Sequence, residues 1–130
     1  MDAVQRQLSD QLDQATQSLL GTAREISDSE LRQPSLLPGW TRAHVLAHLA
    51  RGADAMRNLL VGARAGQDRP AYLSAQARSA DIEHGAGLGA KELMADLAGS
   101  AMTRAVPSRR WVAWSIWSLT WRCAASIRSL

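Results

Sequence analysis

The chain has 130 residues, which suits one domain large enough to bury a real core. A hydrophobic share of 46% and a charged share of 21% are ordinary for a globular protein, and the lone cysteine, Cys123, excludes an internal disulfide and a thiolate metal framework. The formal charge of +3 is uneven: residues 1–96 carry every acid, while Arg104, Arg109, Arg110, Arg122 and Arg128 follow with no acid among them.

With no Phe, few β-branched residues and much Ala, Leu, Arg and Gln, the composition favours an all-α fold. Met1-Asp2-Ala3-Val4-Gln5 lacks the basic and apolar pattern of a signal peptide, so the cytoplasm is the expected location. Val4, Leu8, Leu12, Ala15, Leu19 and Ala23 recur at helical spacing and predict a first amphipathic helix near residues 2–25. Ser27-Asp28-Ser29-Glu30 is a capping-box pattern that opens one short helical turn before Pro34.

Pro38-Gly39 is a turn dipeptide, and Thr41 after it is a good N-cap. A second long helix is expected near 42–61, with Val45, Leu49, Ala53, Met56 and Leu60 as its buried stripe and Gly62 and Gly66 closing it. Residues 63–87 form a long connection, within which Leu73 to Glu83 has the pattern of a short helix. In a bundle, such a link permits a crossover between non-adjacent helices and is a common place for function. A third bundle helix is expected near 88–105, with Leu93, Leu97 and Ala101 inward, and a fourth near 110–127 after Pro107. The chain therefore reads as three helices over residues 1–105 and a divergent Trp/Arg-rich helix over 106–130.

His48 is the leading functional candidate, since a neutral imidazole on an inward helix face can meet ligands from facing helices. The competing reading is a hydrogen-bonded histidine at the edge of an apolar stripe. His44, one turn earlier, is read as an exposed first-turn residue rather than a second ligand, and His84 as a surface residue. Arg78, Asp81 and Glu83 either orient an anionic group and brace a ligand histidine, or form ordinary surface pairs on a helix. Trp40, between turn and cap, is expected to anchor the helix start in the core. Trp111, Trp114, Trp117 and Trp121 share one helix face and would serve as core or as a partner surface. The apolar stretch around them is too short and too polar for a membrane span, and dispersed Arg residues form no nucleic-acid module, so neither membrane nor nucleic acid is expected as a partner.

Two strings carry a family resemblance. Leu36-Leu37-Pro38-Gly39-Trp40-Thr41 followed by Val45-Leu46-Ala47-His48-Leu49 is the first, and Arg78-Ser79-Ala80-Asp81-Ile82-Glu83 ahead of Glu92-Leu93-Met94-Ala95-Asp96-Leu97 is the second. Together they resemble the metal-binding domain of mycothiol-dependent maleylpyruvate isomerases, within the wider DinB-like group. The resemblance implies a DinB-like four-helix bundle with a long crossover between its second and third helices. It further implies one divalent metal, zinc in most members, with His48 as first ligand and a Glu-x-x-x-His pair on the last helix. Mycothiol and a small-molecule substrate are the implied partners, and a thiol-using isomerase or transferase the implied activity.

The chain departs from that pattern where the pair belongs, because residues 111–130 contain neither Glu nor His. Natural divergence and an out-of-frame end are both compatible with the tail's composition. The expectation is a metal-dependent isomerase scaffold impaired by loss of its distal ligands. The alternative is a non-catalytic bundle that binds a protein partner through its Trp-rich last helix.

Overall fold

The computed structural model describes residues 2–102, and every described element is helical or loop apart from one isolated bridge between Pro34 and Thr41. The helices are α1 (Ala3–Arg24), α2 (Asp28–Leu31), α3 (Arg42–Ala65), α4 (Ala75–Ala86) and α5 (Ala90–Met102). The expected fourth bundle helix near 110–127, with its Trp face and Cys123, lies outside the described residues.

The starts of α1 to α4 have local chemical causes. Asp2 accepts from the Gln5 backbone at the head of α1, and the Gln5 side chain returns the bond, which makes a capping box. Ser27 and Glu30 repeat that exchange at α2. The hydrogen bonds from Ser27 hold the Glu30 carboxyl below the usual carboxylate range. Ser74 caps α4 through the Ala77 backbone N–H.

The end of α3 differs from the expectation. Gly62 does not close the helix; it is buried inside it. The closure is a Schellman motif, with Gly66 left-handed at φ 66° and Gln67 N–H reaching back to the Gly62 carbonyl at 2.9 Å. Gly62 is required because the chain doubles back over it. A Cβ there would stand 2.8 Å from the Gln67 carbonyl oxygen and 2.9 Å from the Arg69 Cβ.

The short helix expected near residues 73–83 of the long connection is α4, which packs along α3, while α5 packs against both α3 and α1. The core joins Leu20 and Ala23 of α1, Leu31 of α2, Ala43 to Ala50 of α3, Ile82 and Ala86 of α4, and Leu93 and Leu97 of α5. The α1 stripe is only half used: Val4 is 64% exposed and Leu8 40%, whereas Leu20, off the expected stripe, is fully buried. Among the described residues, the core takes Leu20 and Ala23, with Leu19 packed beside them, from the last turns of α1.

Small residues set the closest approach. Gly85 of α4 lies on Ala47 of α3, where an added Cβ would meet the Ala47 Cβ at 2.8 Å. No larger residue fits without separating the helices.

The one-turn α2 clips the α4–α5 junction. The Arg32 guanidinium donates to the carbonyls of Ala86 and Leu88 at the end of α4. Asp28, four residues earlier, accepts from the Ala90 N–H at 2.6 Å and so caps α5 from outside that helix. Further along, Arg51 of α3 pairs with Asp96 of α5 at 2.6 Å, beside Asp54 and Arg57.

Candidate functional site at the Trp40 corner

The site is built on the loop that delivers Trp40. Pro38 and Gly39 occupy the middle of a type II turn: Gly39 has φ 77°, and the Trp40 N–H donates to the Leu37 carbonyl at 3.1 Å. Ser35 then holds the loop shut, its N–H donating to the Trp40 carbonyl at 2.9 Å and its hydroxyl donating to the same oxygen at 2.8 Å. Trp40 is thereby laid over the first two turns of α3. Its ring stacks on His44, with centroids 6.1 Å apart and planes at 20°, and lies tilted against His48 at 5.5 Å. It is half-buried and packed on the core, as its position in the sequence leads one to expect.

His44 departs from the expectation of an exposed residue, for its side chain is only 17% exposed. It takes the place that Glu or Gln usually fills in a capping box. The Thr41 N–H donates to its Nδ1 at 3.2 Å, and the Thr41 hydroxyl lies 2.7 Å from the same atom. An Nδ1 that accepts leaves the proton of the neutral ring on Nε2, which faces the Glu83 carboxylate on α4 at 3.2 Å. His44 is therefore a structural tie between the start of α3 and the end of α4, and not a second ligand on the same face as His48.

One turn along, His48 is half-buried and faces Arg78. The Arg78 Nη2 lies 3.2 Å from the His48 Nδ1. A guanidinium has donors only, so Nδ1 accepts and the neutral imidazole carries its proton on Nε2. Tyr72 also meets Arg78, with the guanidinium carbon 5.6 Å from the ring centroid. Burial first, and the Arg78 charge second, hold the His48 imidazole below its ordinary pKa of 6.5. The unfolded chain thus takes up the His48 proton at higher pH than the folded one does. Stability should fall as pH drops from about 6.5 toward the depressed folded value and level off below it. We expect a lower thermal midpoint at pH 5.5 than at pH 7.5, and a smaller difference in His48→Gln. An equal difference in both proteins would place the proton uptake elsewhere.

Of the residues singled out in the sequence, Trp40, His44, His48, Arg78 and Glu83 meet at this corner, while Asp81 and His84 are exposed on α4. Sequence reasoning missed Tyr72, because nothing in a loop tyrosine six residues before Arg78 signals that the chain folds it under the guanidinium. It also missed Asp28 and Arg32, whose partners are more than fifty residues away.

The donors present do not fit a three-ligand metal centre. Among the described residues, no group of three or more His, Cys, Asp or Glu is placed to hold an ion. Beyond them the sequence offers Cys123 alone of those types. A metal-bound histidine ordinarily donates its second ring N–H to an acceptor, yet the neighbour here is a donor-only guanidinium.

Among the described residues no helix is long and apolar enough to cross a membrane. The fold is similar to two crystal structures of the mycothiol-dependent maleylpyruvate isomerase. Against its histidine-to-alanine mutant the TM-score is 0.77 at 23% identity, covering 95% of this chain and 60% of that one. Against a second structure of the isomerase the TM-score is 0.71 at 23% identity, covering 95% and 57%. The chain thus spans about three-fifths of the length of these solved proteins. No curated protein matches the sequence. The family model for the mycothiol maleylpyruvate isomerase N-terminal domain matches residues 12–126, nearly the whole chain, and the protein belongs to that family.

Proposed function

We propose that this chain is a cytoplasmic isomerase-family bundle whose Trp40 corner binds the small molecules of a mycothiol-dependent reaction, a thiol and an acidic substrate, but holds a divalent metal only weakly. His48 stands where the resemblance puts the family's first ligand, and the sequence of residues 106–130, to which the resemblance would assign the other two, contains neither Glu nor His. The observation that carries this reading is the state of His48 itself: Nδ1 engaged by Arg78, and no set of three donor side chains among the described residues. Metal affinity grows with the number of deprotonated ligands that converge in good geometry, and one imidazole is a weak site. Sustained turnover of a maleylpyruvate-like substrate is therefore not expected from this chain alone.

The test is elemental analysis of protein purified without added metal. We expect well under one zinc per chain after dialysis, in wild type and in His48→Ala alike. One tightly held zinc per chain, lost in His48→Ala, would overturn the proposal and require ligands from elsewhere in the chain.

A further inference from the structure

α4 is held to the rest of the fold unevenly along its length. It gives the core Ile82 and Ala86, and its Gly85 lies on Ala47, so all of its close packing is in its second half. The first half adds nothing to that core. Leu73, just before the Ser74 cap, is 93% exposed. The residue four places into the helix, on which an apolar side chain at that position would pack, is Arg78. Residues 67–70, which lead toward the helix, are exposed as well. The remaining ties to α3 are polar: Arg78 to His48, and Glu83, whose side chain is 69% exposed, to His44. Polar pairs open to water add little stability. α5, by contrast, sinks Leu93 and Leu97 completely and packs on two helices.

The far end of α4 is fixed. Residues 87–89 are all that separate it from α5. Arg32 donates to the carbonyls of Ala86 and Leu88, and Asp28 accepts from the Ala90 N–H, so α2 grips both sides of this junction. A short junction between helix ends is where a hinge absorbs its change in backbone angles. An element with few buried apolar side chains opens at lower free energy than the fold as a whole.

We propose that α4 is a lid over the two histidines of α3, hinged at residues 87–89, pinned there by Asp28 and Arg32, and opening as a unit while α3 and α5 stay folded. When it is closed, Arg78 occupies the Nδ1 of His48 and Glu83 faces the Nε2 of His44. When it is open, both imidazoles are reached from solvent. The proposal rests on the reading of this corner as a ligand site for its purpose, which is control of access.

Native-state hydrogen exchange, followed by mass spectrometry on the full chain, tests the motion without any ligand. Amides 78–86 should exchange together, about tenfold or more faster than those in the middle of α3 and α5, and with a weaker dependence on denaturant. Leu97→Val weakens α5, which stays folded when the lid opens. It should therefore speed exchange in α3 and α5 severalfold and leave α4 unchanged. Diethyl pyrocarbonate, which acylates accessible neutral imidazoles, reads the consequence. His84 is exposed and should react at one rate in every variant. His44 and His48 should react slowly in wild type and severalfold faster in Ile82→Val, where the lid loses part of its one large buried side chain. Circular dichroism confirms that each variant is folded. Exchange of α4 at the rate of α5, with the same denaturant dependence, would show that it opens only with the whole fold and would overturn the proposal. So would wild-type His44 and His48 reacting as fast as His84. Neither readout involves a ligand, so a corner that binds no small molecule overturns the ligand reading and leaves the lid standing.

Discussion

Gly85→Val is expected to lower stability by about 1–3 kcal/mol, the usual cost of forcing volume into a packed contact. It is also expected to separate Arg78 from His48. The cause is a single close approach. An added Cβ at position 85 would meet the Ala47 Cβ at 2.8 Å, and an alanine methyl has no rotamer through which to withdraw. The helices must then move apart. Arg78, Ile82 and Gly85 lie at i, i+4 and i+7 on one face of α4, so a shift at Gly85 is carried along that face. Ala47 adjoins His48 in sequence, and the displaced contact is the one that positions the guanidinium. Urea denaturation measures the first effect, and the His48 nitrogen-15 signature the second. A variant of unchanged stability with its His48 tautomer intact would show that the α3–α4 interface yields without cost.

Trp40→Ala is expected to cost about 2–3 kcal/mol, below the 3–5 typical of a fully buried aromatic because the indole is half-buried. The ring packs on the core and faces both histidines, so its removal opens the first two turns of α3 to water. His44 should keep its bonds to Thr41, which are local to the cap. His48 should lose part of its burial, and burial is the larger cause of its depressed pKa. The acid sensitivity of the thermal midpoint should therefore shrink together with stability. A denaturant midpoint equal to that of wild type would show that the indole contributes no packing.

The helices themselves were legible in the sequence, because their causes are local. The caps at Thr41 and Ser27, the turn at Pro38-Gly39 and the left-handed stop at Gly66 depend on residues within a few positions of one another. Periodicity located α1, α3 and α5 to within a few residues, and the Leu-Pro-Gly-Trp-Thr and Arg-Ser-Ala-Asp strings carried the family. How far α1 is buried is not a local property. A stripe of Val4, Leu8 and Leu12 states that a face is apolar, and only a neighbour can bury it.

The corner itself was decided by tertiary structure. His44 reads as an exposed first-turn residue until α4 crosses it and brings Glu83 to its Nε2. Arg78 reads either as a brace for a histidine or as half of a surface pair with Asp81 until the chain turns it onto His48 and against Tyr72. Asp28 reads only as part of a short capped turn and Arg32 carries no signal, yet their partners lie across the junction of two other helices. A single chain records which residues can donate, accept or carry charge. Which of them meet is set by the distance of closest approach between α3 and α4, and here Gly85 on Ala47 sets that distance.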